Sequence, residues 1–290
     1  MTSASADLWE RLLASEAVVR VSFFLGVLVL MMALEAAFPR RARNVSRSRR
    51  WPGNLGIVVL DSLIVRALVP MAAVGVAMIA EAREWGLFHA LDVPLFWAAL
   101  LTVLVLDLVI YLQHVMFHAV PALWRLHRMH HADLDIDVTT GTRFHPIEIL
   151  LSMIIKMAVV AALGAPAIGV VIFEVLLNAT SMFNHANLKL PRRLDRVLRW
   201  LVVTPDMHRV HHSAIRRETD SNFGFNLPWW DRLLGTYRDQ PEKGHDGMTI
   251  GLTIFRDPGA SRLDKLLIQP FLNPPRQALP DEDARPDELK

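Results

Sequence analysis

Eight histidines stand in three short clusters: His114-Val-Met-Phe-His118, His127-Arg-Met-His130-His131 and His208-Arg-Val-His211-His212. With His145 and His185 they make ten of the chain's twelve histidines. A neutral imidazole offers a nitrogen lone pair at ordinary pH and is the commonest side-chain ligand for Zn, Fe, Cu and Ni. Residues three and four apart share one face of a helix, so each cluster aims two or three ring nitrogens at one point. A single ion takes about three to five such rings. Eight exceed that, and the economical reading is two metals close together. Ligand type alone admits all four elements. The sequence holds no HExxH run, so no glutamate stands between two ligands as the general base of a zinc protease. A lone histidine at a helix end is usually just a hydrogen-bonded residue. Two separate HxxHH runs are poorly explained that way.

His145 and His185 each fall at the end of an apolar helix and are expected to add a ninth and a tenth ligand, the alternative being that they support a ligating ring without touching the metal. Glu148 and Asp206 are placed to hold the second nitrogen of a ligating ring, which fixes its tautomer and orientation. Asp107 lies deeper and reads as a polar group inside the bundle.

These clusters must be carried by membrane helices. Of the 290 residues 52% are hydrophobic, too apolar for an ordinary soluble enzyme. The formal net charge of +2 gives no general case for binding nucleic acid, and the absence of cysteine removes disulfides, zinc thiolates, iron–sulfur ligands and thiol nucleophiles. Residues 17–38 are long and apolar enough to cross a bilayer, after a short amphipathic stretch over Met1–Glu16. That leading stretch lacks the positive charge of a signal peptide. Asn54–Ala80 reads as a second span that Pro70 kinks, and Leu95–Gln113 as a third. Pro146–Leu163 and Pro166–Phe183 read as a hairpin turning at Gly164-Ala-Pro166, with Lys156 and Glu174 paired or facing a cavity.

The fold class expected is therefore all-α: a multi-span membrane bundle of four to five helices under a histidine-rich cytosolic cap. The basic loop from Pro39 to Arg50 is cytosolic by the positive-inside rule, and counting spans from it puts every clustered histidine on the cytoplasmic side. In the cap, Asp195–Val203 reads as an amphipathic helix and Thr204-Pro205-Asp206 as a helix start. Trp229 and Trp230 suit the headgroup layer, and Leu263–Phe271 is expected to pack on the cap or interface. Residues 1–50 form an N-terminal span and basic loop, 51–252 the histidine-bearing domain, and 253–290 a C-terminal segment whose tail from Asn273 is disordered in composition.

Several further motifs accompany the boxes in order: Arg50-Trp-Pro-Gly-Asn54, Arg143-Phe-His145-Pro-Ile-Glu148, Asn184-His185, Asn222-Phe-Gly224 and Trp230-Asp231. With them, roughly Trp51 to Leu252 resembles the membrane fatty acid hydroxylase and sterol desaturase superfamily. The resemblance implies a non-haem di-iron centre that uses O2 to hydroxylate, demethylate or desaturate lipids. It implies His114, His118, His127, His130, His131, His208, His211 and His212 as metal ligands, with His145 and His185 as additions. The FHPIE-like segment is closer to the sterol-desaturase-like and alkylglycerol-monooxygenase-like branches than to the acyl-CoA desaturases. No Gly-rich dinucleotide motif is present, so electrons are expected from a separate ferredoxin- or cytochrome-type donor, docked on Arg192, Arg193, Arg196, Arg199, Arg216 and Arg217 or leaving that face to solvent or lipid headgroups. The rival readings are a b-type haem membrane protein, for which adjacent histidine pairs are superfluous, and a metal transporter, whose ligands belong near the bilayer midplane.

Overall fold

The computed structural model of the chain describes residues 16–277. The amphipathic stretch expected over Met1–Glu16 lies outside the described residues apart from Glu16, as does most of the C-terminal tail. In lipid a backbone can satisfy its polar groups only within itself, so long apolar runs become helices. The first is α1 (Glu16–Ala37), followed across the basic loop by α2 (Arg47–Leu68), α3 (Ala72–Arg83) and the short α4 (Leu87–Ala90). Next come α5 (Leu95–Ala119), α6 (Pro121–His131), α7 (Pro146–Leu163) and α8 (Ala167–Asn184). The remainder is short: α9 (Arg192–Leu198), α10 (Pro205–His211), α11 (Arg216–Thr219), α12 (Trp229–Leu233), α13 (Gly244–Gly247) and α14 (Leu263–Ile268). Among the described residues there is no β-strand, only two isolated bridges.

Five segments are long and apolar enough to cross a bilayer: 18–37, 47–90, 95–119, 146–163 and 167–184. The chain is an integral membrane protein. Expected as one kinked span, Asn54–Ala80 is instead two helices. Pro70 has no N–H to give and its ring obstructs the preceding turn, so α2 stops at Leu68 and α3 restarts at Ala72. The hairpin forms as expected.

Small residues let the helices approach. Ala73, Ala77, Ala167 and Val170 are buried with Leu106 and Phe173 where α3, α5, α7 and α8 meet. Gly169 on α8 sits so near Ala99 and Thr102 of α5 that a side chain there would touch both. One cluster of charges inside the bundle is paired: Glu174 takes Lys156 Nζ at 2.9 Å and Arg20 Nη1 at 3.0 Å, tying α7 and α1 to α8. Ile57 of α2, Met129 of α6 and Leu266 of α14 are buried together, so the stretch after Leu263 packs on the bundle, where packing on the cap or interface was expected.

The hairpin turn is made by Gly164 at φ 64°, a left-handed conformation that side chains resist. A Cβ there would also run into the Trp85 carbonyl oxygen, which is backbone and cannot swing away. Gly164→Ala is expected to cost about 1–3 kcal/mol through the left-handed conformation alone. A lower melting temperature in detergent, with the wild-type value restored by reversion, checks this.

Candidate metal centre

The ends of four helices converge on the histidines. α5 carries His114 and His118 on its last turns. The chain turns at Val120, and Pro121 at the first helical position starts α6, which ends on His130 and His131. α8 ends at Asn184, with His185 as its C-cap. α10 is opened by Thr204, whose hydroxyl accepts from the Met207 amide, and carries His208 and His211. The helix start read at Thr204-Pro205-Asp206 is where the structure has it. α9 is shifted from the expected Asp195–Val203 to Arg192–Leu198.

The rings fall into two groups. His114, His118, His127, His131 and His211 bring one nitrogen each to within 4.8 Å of one another, and so do His130, His185, His208 and His212. The rule behind this division is geometric. A helix turns about 100° per residue, so neighbours diverge while residues four apart nearly coincide. In the second box His127 and His131 go to the five-ring group and His130 to the other; in the third, His208 and His212 go to the four-ring group and His211 to the other. Each HxxHH box therefore serves both groups, and the groups adjoin: ring centroids of His131 and His212 are 4.7 Å apart.

The second nitrogen of each ring fixes what the first can do. His130 Nδ1 lies 3.1 Å from the Arg143 carbonyl oxygen, and His185 Nδ1 2.7 Å from that of Ser181. A carbonyl only accepts, so both Nδ1 atoms carry the proton and both Nε2 atoms carry a lone pair. Yet those Nε2 atoms face each other at 3.1 Å. In the other group His114 Nδ1 donates to the Phe223 carbonyl at 2.8 Å and His127 Nδ1 lies 2.7 Å from Glu148 Oε1, while their Nε2 atoms are 3.0 Å apart. Lone pairs opposed at such distances repel, and a cation between them reverses the sign. His211 Nε2 and both ring nitrogens of His212 are buried with no hydrogen-bond partner. The residues fit metal ions.

Burial, and after it the neighbouring imidazoles, holds His130, His131, His208, His211 and His212 well below the ordinary imidazole pKa. Burial pushes His127 and His185 down to about 3. At neutral pH the rings are uncharged and free to bind.

Glu148 lies against a cluster ring, as its position suggested. His145 does not reach either group. It caps α7: Nδ1 accepts from the Ile147 amide at 3.2 Å, and Nε2 faces the Leu267 carbonyl at 3.2 Å, so both nitrogens are used. Asp206 is also corrected. It touches no cluster ring but pairs with Arg40 and Arg209, holding α10 to the loop after α1. Asp107 accepts from Trp230 Nε1 at 2.8 Å, a polar contact between bundle and cap. Of the six arginines read as a basic face, Arg199 is buried and paired with Asp195 and Asp239.

Three supports escape a reading by spacing. Asp220 Oδ1 lies 3.1 Å from His118 Nδ1, 102 positions away in the chain. The Ser221 carbonyl accepts from His211 Nδ1 at 2.7 Å. Asp231 holds the amides of Phe223 and Gly224 at 2.7 and 2.9 Å, and so fixes the Phe223 carbonyl that His114 uses. The motifs Asn222-Phe-Gly224 and Trp230-Asp231 signalled the last of these positions without its role, and no motif covered Asp220 or Ser221.

Glu148→Ala is expected to lower metal affinity or activity by about 10–100-fold, the usual cost of losing the group behind a ligating ring. Glu148→Gln, which keeps an acceptor oxygen, should recover part of it. Metal content and product formation measured on both variants decide the matter.

Residues 99–236 match the model of the fatty acid hydroxylase family. The chain is similar to an ornithine lipid hydroxylase of Rhizobium tropici, 29% identical over 161 residues that make 55% of this chain and 47% of that protein. It is similar to an alkylglycerol monooxygenase of Xenopus tropicalis, 26% identical over 239 residues, 80% of this chain and 50% of the relative. A very-long-chain aldehyde decarbonylase of Oryza sativa is 24% identical over 230 residues, 76% of this chain and 33% of the relative. The chain thus spans about half the length, or less, of these relatives. No solved structure matches.

Proposed function

We propose that the chain, whose residues 99–236 match the fatty acid hydroxylase model, is a membrane-bound oxygenase of that family that oxidises a C–H bond of a lipid with O2. The observation that carries the reading is the pair of all-histidine groups whose Nε2 atoms face one another at 3.0–3.2 Å. His114, His118, His127, His131 and His211 would hold one iron, and His130, His185, His208 and His212 the second. Bound there, the irons supply the activation of O2 that breaking an unactivated C–H bond requires.

The chain's own part is positional. Glu148, Asp220 and the carbonyls of Arg143, Ser181, Ser221 and Phe223 hold the Nδ1 protons and so present Nε2. Phe144 stacks on His130 at 4.6 Å, and Phe223 and Phe225 lie 5.4 and 5.1 Å from His114, an apolar wall that keeps water from the centre. Electrons come from a separate ferredoxin- or cytochrome-type donor. The centre faces the cytoplasm, on the side of the basic loop 39–50. Hydroxylation and desaturation share the first hydrogen abstraction, and the relatives' printed activities favour insertion of oxygen.

The geometry argues against a haem. Nε2 atoms at 3.0–3.2 Å leave no room for a macrocycle between them. A transporter would want its ligands at mid-membrane, whereas here they gather at the ends of α5 and α8. Metal analysis of the purified protein, followed by lipid profiling of cells with and without it, tests the proposal. Iron near two equivalents per chain and a lipid gaining one oxygen or losing two hydrogens is the expected result. Zinc in place of iron, or an unchanged lipid profile with iron bound, overturns it.

A further inference from the structure

The cap is polar along most of its length, yet residues 226–236 run beside a membrane helix and not above it. Thr236 Oγ1 lies 2.8 Å from the Tyr111 hydroxyl, and Trp230 Nε1 and the Leu227 amide donate to Asp107 Oδ2 at 2.8 and 3.3 Å. Tyr111 and Asp107 precede His114 on α5 by one and two turns. At 1.5 Å per residue, Asp107 is about 10 Å further from the histidine end. The 25 residues of α5 make a rod of about 37 Å, against a hydrocarbon core of about 30 Å. However the small excess is divided between its ends, Asp107 lies about 10 Å or more inside the hydrocarbon boundary. Whatever touches Asp107 from outside α5 is therefore at that depth too.

What α12 turns outward is suited to such a place. Leu233 and Leu234 are 74% and 56% exposed, and Trp229 is exposed beside them. Trp229 Nε1 donates to the Trp200 carbonyl at 2.7 Å, which joins this surface to exposed Val197, Trp200 and Leu201. The only cation in α12, Arg232, is stacked between Trp200 and Tyr237, 3.8 and 3.9 Å from the ring centres. Three helices earlier in the chain, Arg192, Arg193 and Arg196 are exposed on α9. Leu112 and Met116 of α5 are exposed as well. Such a patch is a liability in water, but in a bilayer its parts sort by depth: leucines among acyl chains, tryptophans at the boundary, arginines at anionic phosphates.

We propose that residues 226–236, together with 197–201, are a wedge inserted into the membrane leaflet on the histidine side. The partner of this surface is the bilayer itself, its acyl chains and anionic headgroups. The inference goes beyond the oxygenase reading and holds whichever metal the histidines bind. It means that part of the cap is lateral wall at the depth of the leaflet.

The chain contains no cysteine, so single-cysteine variants can be spin-labelled without background. Leu233→Cys and Leu234→Cys in the full chain, reconstituted in bilayers containing anionic phospholipid, are compared with two references. Leu63→Cys, 61% exposed in the middle of a span, reports lipid; Arg216→Cys, whose side chain is 86% exposed on the cap, reports water. The expected result is an oxygen-to-nickel-chelate collision ratio at 233 and 234 several-fold above that at 216 and close to that at 63. A ratio at 233 equal to that at 216 overturns the proposal, and 233 decides if the two positions disagree. Variants are read only where their melting temperature in detergent matches the parent, and Trp229→Cys replaces whichever leucine variant fails.

Discussion

Iron content and lipid oxidation are both expected to collapse in His130→Ala and in His211→Ala, while each variant still inserts into the membrane. The two were chosen because they lie in different groups. His211→Ala leaves four rings around its position and His130→Ala leaves three. Losing only the group behind a ligating ring costs about 10–100-fold, so losing the ring itself should exceed that and bring product below detection. Neither change removes a membrane helix contact, because both residues sit past the apolar part of the spans, on α6 and α10. The groups predict an asymmetry that activity alone would miss. His130→Ala should release the metal of the four-ring group and retain most of the other; His211→Ala should do the reverse, with the milder loss because one more ring remains. His145→Ala is the control, expected to keep its metal, since both ring nitrogens of His145 are spent on backbone groups away from the centre. The measurement is metal per chain alongside product formed. Full activity in either ligand variant, or metal loss from His145→Ala equal to theirs, would sink the assignment.

How far the sequence could carry this depends on the range of each signal. The boxes were legible because helix geometry is local: a ring four residues from another is its neighbour whatever the rest of the chain does. The hairpin 146–184 and the final span were legible for the same kind of reason, continuous apolar runs ended by glycine and proline. Which ring joins which metal was legible in principle, from the 100° step between His130 and His131 and between His211 and His212, but only once α6 and α10 were known to face each other. His145 misled because a histidine at a helix start is as well used for capping as for ligation, and the choice is made by Leu267, 122 residues away. Asp206 misled through proximity in the chain. Its carboxylate is two residues from His208, but the helix turns it toward Arg40 and Arg209, and there burial is outweighed by those guanidiniums, which hold it below the usual carboxylate range. The break at Pro70 was visible as a kink, while its completeness was not. At 226–236 the tryptophan pair pointed to the headgroup layer, but five residues of helix carry too little pattern to announce the exposed leucines beside it.

The second large effect is expected far from the metals in sequence, at Arg50. This side chain is fully buried and spends every nitrogen: Nε and Nη2 on the two Asp133 oxygens at 2.6 and 2.7 Å, Nη1 on Asp137 at 2.7 Å, and Nη2 also on the Asp135 carbonyl at 2.9 Å. Asn54 and Thr140 complete Asp133, and Arg143 lies 3.5 Å from it. Burial alone would raise the Asp133 carboxyl, but Arg50 and then Arg143 reverse the effect and keep it ionised, well below the usual range. The loop 132–145 that this network organises is buried almost throughout with only one short 3-10 turn, Thr140–Thr142, so its polar backbone depends on these side chains. It also carries the Arg143 carbonyl that fixes His130. Arg50→Met removes one cation from between two carboxylates that cannot reach water. Breaking a buried pair from one side costs about 3–5 kcal/mol, a large part of a domain's margin. Arg50→Met is therefore expected to lower the melting temperature in detergent more than Gly164→Ala does, and to lose metal from the four-ring group first, since His130 loses its orientation when the loop loosens. Arg50→Met combined with Asp133→Leu removes charge from both sides and should cost less than the sum of the two single changes. A strictly additive double variant, or an Arg50→Met protein with wild-type stability and full metal, would show that the loop stands without the pair and that His130 is held by other means.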